Sequence, residues 1–109
     1  MQYRSLGGSG IDASRVGLGT WLTGVEAEER ASIRVLHAAL DAGIALIDPA
    51  PSHGWGPAED ILGRAIRGRR QQAVIATKCG IRWATARGSF IRQKEGRANS
   101  SCLAHATIR

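Results

Sequence analysis

Three polar side chains follow apolar runs, at places where the proton-transfer groups of enzymes are commonly found. Asp48 closes the run LID, His53 lies five residues further on among prolines and glycine, and Lys78 closes the run VIATK. An ammonium group alters the acidity of a nearby phenol or imidazole, and a carboxylate can hold that ammonium in place. A carboxylate, an imidazole and an ammonium gathered at one site would therefore suit general acid–base catalysis.

These side chains can meet only if the fold brings the ends of the apolar runs together. The sequence predicts alternating elements, with strands over 15–20, 44–48 and 72–80 and helices over 25–43 and 57–68. The helical segments have apolar residues at helical spacing, whereas the strand segments are short continuous apolar runs. This order is typical of parallel strands joined by right-handed crossovers, so the predicted fold class is α/β.

Two α/β architectures compete for the glycines of the first strand. A dinucleotide-binding Rossmann unit needs a third glycine three residues after Gly19, and Leu22 stands there instead. In a (β/α)8 barrel, by contrast, functional groups follow the carboxyl ends of the strands. Thr20-Trp21, Asp48 and Lys78 all occupy such places. The barrel is therefore favoured, and it predicts that Asp48 and Lys78 can pair.

Several motifs occur in order and together resemble the aldo-keto reductase family. They are GLGTW, LID-x-A-P-x-x-G-x-G-x-x-E and ATKCG, and the resemblance covers residues 2 to about 83. Members of that family are (β/α)8 barrels that reduce aldehydes and ketones with NADPH. The resemblance implies a partial (β/α)8 TIM barrel with an N-terminal hairpin and the first three β/α units. We expect residues 1–83 to form that part of the barrel and residues 84–109 to form a basic irregular tail leading towards the next helix.

The resemblance also implies roles for individual residues. The family's catalytic groups are an Asp, a Tyr, a Lys and a His. Asp48 matches the Asp, Lys78 matches the Lys, and His53 stands at the position of the Tyr. The family's His would follow a fourth strand, which the chain does not reach. Contacts with the nicotinamide end of NADPH are implied for Gly19, Thr20, Trp21 and Asp48.

Histidine at the tyrosine position changes the proton chemistry that we expect. Reduction of a carbonyl leaves an alkoxide that must be protonated, and a phenol with an ordinary pKa of about 10 becomes a useful acid beside an ammonium. The same ammonium disfavours imidazolium. His53 is therefore expected to be neutral near neutral pH and a poor proton donor.

Charge and composition narrow the expected partners. Residues 82–109 carry six Lys and Arg against one Asp or Glu, so most of the net charge of +6 lies in the tail. Aromatic residues for base stacking are scarce there, and we expect no nucleic-acid partner. No apolar run approaches the roughly 20 residues of a membrane span, and no signal-peptide pattern is present, so we expect a cytoplasmic protein without membrane contact. The cysteines and histidines offer too few ligands for a metal site.

Three strands and two helices are too few to close a barrel, so the sequence predicts the N-terminal part of a truncated enzyme that is inactive alone. Its substrate, once the barrel is completed, would be a small-molecule carbonyl compound. NADPH binding by this chain alone is expected to be weak or absent, because most cofactor contacts in the family come from its C-terminal third. The alternative hypothesis is a non-catalytic degenerate relative, or a gene remnant, that acts, if at all, through protein binding.

Overall fold

A computed structural model of the chain describes residues 1–24, 28–55, 57–78, 81–84 and 89–92. The strands are β1 (Tyr3–Ser5), β2 (Asp12–Ser14), β3 (Gly17–Gly19), β4 (Leu46–Asp48), β5 (Val74–Ile75), β6 (Ile81–Ala84) and β7 (Ser89–Arg92), and the helices are α1 (Glu29–Asp41) and α2 (Pro57–Ala65). The order from β3 to β5 is β-α-β-α-β, as predicted. The α/β class and the N-terminal hairpin of β1 and β2 are thereby confirmed.

The central sheet consists of three parallel strands in the order β3-β4-β5. Gly19 of β3 pairs with Asp48 of β4, and Ile47 of β4 pairs with Ile75 of β5, so the three strands end close to one another. Their carboxyl ends therefore lie at one edge of the sheet. The segments that follow β3, β4 and β5 begin at this edge, and those segments carry the candidate site residues.

Both helices cover the same face of the sheet. The buried cluster beneath them consists of Leu36, Leu40, Ile47, Ile61, Leu62, Ala65, Ile66 and Ala73. The helices are also joined to each other, because His37 Nε2–H donates a hydrogen bond of 2.8 Å to the Ala65 carbonyl. At the surface, Arg64 Nε lies 2.6 Å from Glu29 Oε1. Apolar burial accounts for most of the stability of this layer, since exposed ion pairs contribute at most about 1 kcal/mol.

The opposite face of the sheet is open. Successive side chains of a strand point to opposite faces, so Asp48 and Leu46 share the face that Ile47 does not. Ile47 is fully buried against the helices, whereas Asp48 is exposed and Leu46 is half-buried. Gly17 and Gly19 of β3 are exposed as well. The sheet is thus covered on one side and presents the candidate carboxylate on the other.

The hairpin of β1 and β2 closes the amino end of the sheet through a buried serine. Ser14 Oγ accepts hydrogen bonds of 2.9 Å from both the Ala45 and Leu46 N–H groups and donates one of 2.7 Å to the Val16 carbonyl. Tyr3 Oη–H donates to the Gly43 carbonyl at 2.8 Å. The hairpin thus lies at the amino end of the sheet, opposite the carboxyl edge that carries the candidate site residues.

Residues 81–84 and 89–92 form two strands that the sequence pattern did not predict. β6 and β7 pair antiparallel, with Trp83 opposite Phe90. Each strand has only four residues, which is too short for a periodic pattern to be recognised in the sequence. The remaining residues of the predicted tail, 85–88 and 93–109, lie outside the described residues.

Candidate active site

Asp48 and Lys78 meet at the carboxyl edge of the sheet. Asp48 ends β4, and Lys78 follows the neighbouring strand β5, so their side chains project from adjacent strand ends. Lys78 Nζ lies 2.6 Å from Asp48 Oδ1 and also donates a hydrogen bond of 3.2 Å to the Pro49 carbonyl. The Lys78 side chain is 45% exposed and the Asp48 side chain is 51% exposed. Because water screens such a pair, it contributes at most about 1 kcal/mol to folding, and the ammonium stays accessible to a ligand.

His53 is packed into the turn that follows β4. Its backbone N–H donates to the Ala50 carbonyl at 3.0 Å, and the residue is only 7% exposed. Its imidazole Nδ1 lies 3.0 Å from Oγ1 of Thr20, which is 1% exposed. The imidazole and the Trp21 indole are also in edge-to-face contact, with 5.2 Å between ring centroids and 70° between ring planes. The segment after β3 thus fixes the imidazole from two sides.

Gly54 locks the turn against the same segment. Its φ of +62° lies in the left-handed region, which L side chains rarely adopt. The Gly54 N–H donates to the Trp21 carbonyl at 3.2 Å. A Cβ at this position would collide with the Thr23 carbonyl oxygen. The close approach of the two segments therefore requires glycine, and it holds His53 next to Thr20.

Electrostatics favour the neutral form of His53. Burial of the imidazole is the main cause that lowers its pKa below the ordinary value of 6.5, and the Lys78 ammonium lowers this pKa further. The carboxylates of Asp48 and Glu59 act in the opposite direction without reversing the shift. His53 is therefore uncharged at neutral pH, as the sequence predicted. A neutral imidazole can accept or donate a hydrogen bond but is a weak proton donor.

Sequence reasoning missed two contacts of this edge. Thr77 Oγ1–H donates to Glu59 Oε1 at 2.5 Å, which joins the segment after β5 to the first turn of α2. Glu59 belongs to the motif that begins with LID, but the motif alone assigned it no role. The bond between Thr20 and His53 was missed as well, because it joins residues 33 positions apart. The only sequence signal for either contact was a polar residue at a strand end.

The residues expected to contact NADPH fall into two groups. Gly19 and Trp21 are exposed, a Cβ at Gly19 would meet no atom within 4 Å, and Trp21 is 63% exposed. An exposed indole and an open backbone suit a flat nicotinamide ring, and Asp48 lies at the same edge. Thr20 differs, because its hydroxyl is buried and bonded to His53. The described residues thus fit the nicotinamide end of the cofactor through Gly19, Trp21 and Asp48.

An apolar groove continues from this edge towards α1. Its volume is about 350 Å³, and it is lined by Leu18, Gly19, Trp21, Leu22, Thr23, Ser32, Val35 and Leu36. Within the ranges that the structure describes, no group of three His, Cys, Asp or Glu side chains could hold a metal ion. None of the helices described in those ranges is long and apolar enough to pass through a lipid bilayer.

Comparisons with known proteins agree on one family. The model of the Aldo/keto reductase family matches residues 15–102. Aldo-keto reductase YhdN of Bacillus subtilis (strain 168) is 47% identical over 89 residues, which are 76% of this chain and 27% of that protein. The chain thus spans about a quarter of the length of the curated relatives that it matches.

Solved structures agree with this family and with its barrel fold. The glycerol dehydrogenase AKR11B4 from Gluconobacter oxydans has a TM-score of 0.71 and 37% identity, over 83% of this chain and 30% of that one. An aldo-keto reductase from Klebsiella pneumoniae, solved in complex with NADPH, has a TM-score of 0.57 and 38% identity, over 62% of this chain and 24% of that one. The described sheet and helices correspond to part of a (β/α)8 barrel.

Proposed function

The chain belongs to the aldo/keto reductase family, and from this premise we propose that it supplies the N-terminal part of an NADPH-dependent reductase of aldehydes and ketones. The observation that carries the proposal is the ion pair of Asp48 and Lys78, with 2.6 Å between Oδ1 and Nζ, at the carboxyl edge of adjacent parallel strands. Active sites of (β/α)8 barrels lie at this edge. Residues 1–83 would form the corresponding part of the barrel.

The three candidate catalytic residues would divide the work as follows. NADPH, when bound, supplies the hydride that reduces the carbonyl carbon. The Lys78 ammonium stabilises the negative charge that develops on the carbonyl oxygen, and Asp48 holds that ammonium in place. His53 stands where the family has tyrosine and offers a neutral imidazole. Because this imidazole is a weak acid at neutral pH, proton donation is the slow element of the proposed site.

The cofactor assignment is supported by the NADPH-bound relative from Klebsiella pneumoniae and by the fit of the exposed residues. Gly19, Trp21 and Asp48 would hold the nicotinamide end, and Thr20 would contribute through its backbone. The chain spans only 27% of the relative from Bacillus subtilis, so the remaining cofactor contacts lie outside it. Residues 1–109 alone are accordingly proposed to bind NADPH weakly and to be inactive.

The test restores a complete barrel by fusing this chain to the remaining segment of that relative. NADPH consumption with a model aldehyde at neutral pH should be slow, and His53→Tyr should increase the rate by about 10²–10⁴-fold, since this is the usual contribution of general acid catalysis. Lys78→Met in the His53→Tyr fusion should remove the gain. Arg67→Met is the matched control, because Arg67 is an exposed cation beyond the end of α2. Its rate should not change.

The outcome for position 53 decides between an enzyme and a non-catalytic relative. A His53 fusion as fast as its tyrosine counterpart would show that this residue does not limit proton transfer. Fusions that bind NADPH yet remain inactive with either residue would favour the non-catalytic alternative. That alternative is supported by the exposed apolar side chains of Leu22 and Val35, which line the groove and suit contact with another protein.

A further inference from the structure

We infer that Thr20 is a positioning residue, which holds His53 as the neutral tautomer that carries its proton on Nε2. The family resemblance assigns Thr20 to cofactor contact, whereas the structure directs its side chain to the imidazole. The inference concerns the Thr20–His53 contact itself. Its meaning for catalysis rests on the proposed function.

Because Thr20 and His53 are both buried, each depends on the other as its hydrogen-bond partner. Thr20 is 1% exposed and His53 is 7% exposed, so water cannot replace either partner freely. The distance of 3.0 Å between Oγ1 and Nδ1 is that of a hydrogen bond. Which of the two atoms donates determines the tautomer, because a neutral imidazole has one N–H group and one lone pair.

The hydroxyl of Thr20 must be the donor. Within the described part of the chain, the hydrogen bond of this hydroxyl is the one with His53 Nδ1. If Nδ1 donated instead, the hydroxyl proton would be buried without an acceptor, which folded proteins avoid. With Thr20 donating, Nδ1 accepts and the imidazole proton lies on Nε2. The edge contact with Trp21 restrains rotation of the ring in this arrangement.

This tautomer selects one kind of ligand atom. An Nε2–H group can donate to a carbonyl oxygen, as neutral imidazoles do in enzymes that polarise carbonyl groups. It cannot accept the proton of an alcohol without first losing its own. Thr20 therefore biases His53 towards binding a carbonyl substrate and away from acting as a base in alcohol oxidation.

The bond also predicts how Thr20 affects titration of the imidazole. On protonation of Nδ1 the Thr20 hydroxyl would have to turn and accept from the imidazolium, which leaves its own proton buried without an acceptor, so the existing bond favours the neutral form. The charged groups that act on the ring are the Lys78 ammonium and the carboxylates of Asp48 and Glu59, and a change at Thr20 leaves all three in place. Thr20→Val should therefore raise the pKa of His53. The opposite arrangement, with Nδ1–H donating to Oγ1, would also serve the imidazolium, and Thr20→Val would then lower this pKa.

The test is nuclear magnetic resonance of the 109-residue chain with ¹⁵N-labelled histidine, without cofactor or substrate. In the wild-type chain at a pH above the His53 midpoint, the ¹⁵N chemical shifts of His53 should show a protonated Nε2 and an unprotonated Nδ1. Thr20→Val should shift the midpoint to higher pH and mix the tautomers, and Thr20→Ser, which keeps the hydroxyl, should restore both properties. Ser9→Ala is the control, because it removes a hydroxyl that bonds the Leu6 carbonyl of the N-terminal hairpin rather than His53 or a charged group that acts on it, so the His53 midpoint and tautomer should not change.

Three results would overturn the inference. They are a wild-type Nδ1 that carries the proton, a His53 midpoint that falls or stays unchanged in Thr20→Val, and wild-type His53 signals identical to those of the chain in denaturant. The measurement uses no turnover, so its failure is distinct from failure of the proposed function. A slow fusion enzyme with the predicted tautomer would support the positioning role alone.

Discussion

Replacing Gly54 by alanine tests whether the turn after His53 is locked as described. A left-handed φ costs an L-residue about 1–2 kcal/mol, and a side chain forced into a filled space costs about 1–3 kcal/mol more. Gly54 has a φ of +62°, and its new Cβ would meet the Thr23 carbonyl oxygen, so both costs apply. Gly54→Ala should therefore lower the free energy of unfolding by about 2–5 kcal/mol.

Two other glycines of the same chain separate these costs. Gly68 has a φ of +73° but open space around its missing Cβ, so Gly68→Ala should lose only the backbone cost, about 1–2 kcal/mol. Gly63 lies inside α2 in open space without a left-handed φ, so Gly63→Ala should gain about 0.5–1 kcal/mol.

Urea unfolding followed by circular dichroism, at a low chain concentration, gives all three values relative to the wild-type chain. The expected order of stability is Gly63→Ala, wild type, Gly68→Ala, Gly54→Ala. A Gly54→Ala variant as stable as Gly68→Ala would refute the collision with Thr23. A Gly54→Ala chain that does not fold at all would agree with the upper end of the predicted range.

Two further predictions concern protonation and a buried hydroxyl. The pKa of His53 is lower in the folded chain than its unfolded value of 6.5, so the unfolded chain binds more protons and the His53 contribution to stability should be lost as pH falls below about 6.5. Urea unfolding at several pH values should show a free energy of unfolding that decreases towards low pH in the wild-type chain, and His53→Gln should reduce this dependence. Ser14→Ala should lower the free energy of unfolding by about 2–5 kcal/mol in the same assay, because the N–H groups of buried Ala45 and half-buried Leu46 both lose their acceptor. Ser32→Ala is its control: this buried hydroxyl has no partner among the described residues, so removing it should leave stability unchanged or slightly raised, and equal losses at both serines would contradict the account of Ser14.

The sequence was sufficient for the class of fold and for the pair of charges at its edge. Helical spacing over α1 and α2 and the short apolar runs between them predicted three parallel strands, and that order places the residues after β4 and β5 side by side. The neighbourhood of Asp48 and Lys78 followed from topology, because Asp48 ends β4 and Lys78 follows shortly after the adjacent parallel strand β5.

Contacts that depend on turn geometry could not be predicted in this way. The bond between Thr20 and His53 requires the 53–54 turn to fold back against residues 20–23, where Gly54 has a left-handed φ and bonds the Trp21 carbonyl. Neither residue type nor spacing encodes such an approach. The same holds for Thr77 and Glu59, which meet only after α2 has packed beside β5. Propensity also failed for β6 and β7, whose pairing is settled by contacts between strands rather than by local pattern.

The structure separates the residues that report on chemistry from those that report on folding. Asp48 and Lys78 are about half exposed, so replacing either should change stability by less than about 1 kcal/mol, and a large loss of rate in a fusion enzyme would reflect the reaction itself. Thr20 and His53 are buried and bonded to each other, so their replacement alters both packing and chemistry. A change in rate at either position is therefore best paired with a direct readout of the imidazole. That readout is the tautomer and the pKa of the imidazole. Thr20→Ser removes packing but keeps the hydroxyl, so it should leave both the tautomer and the pKa unchanged.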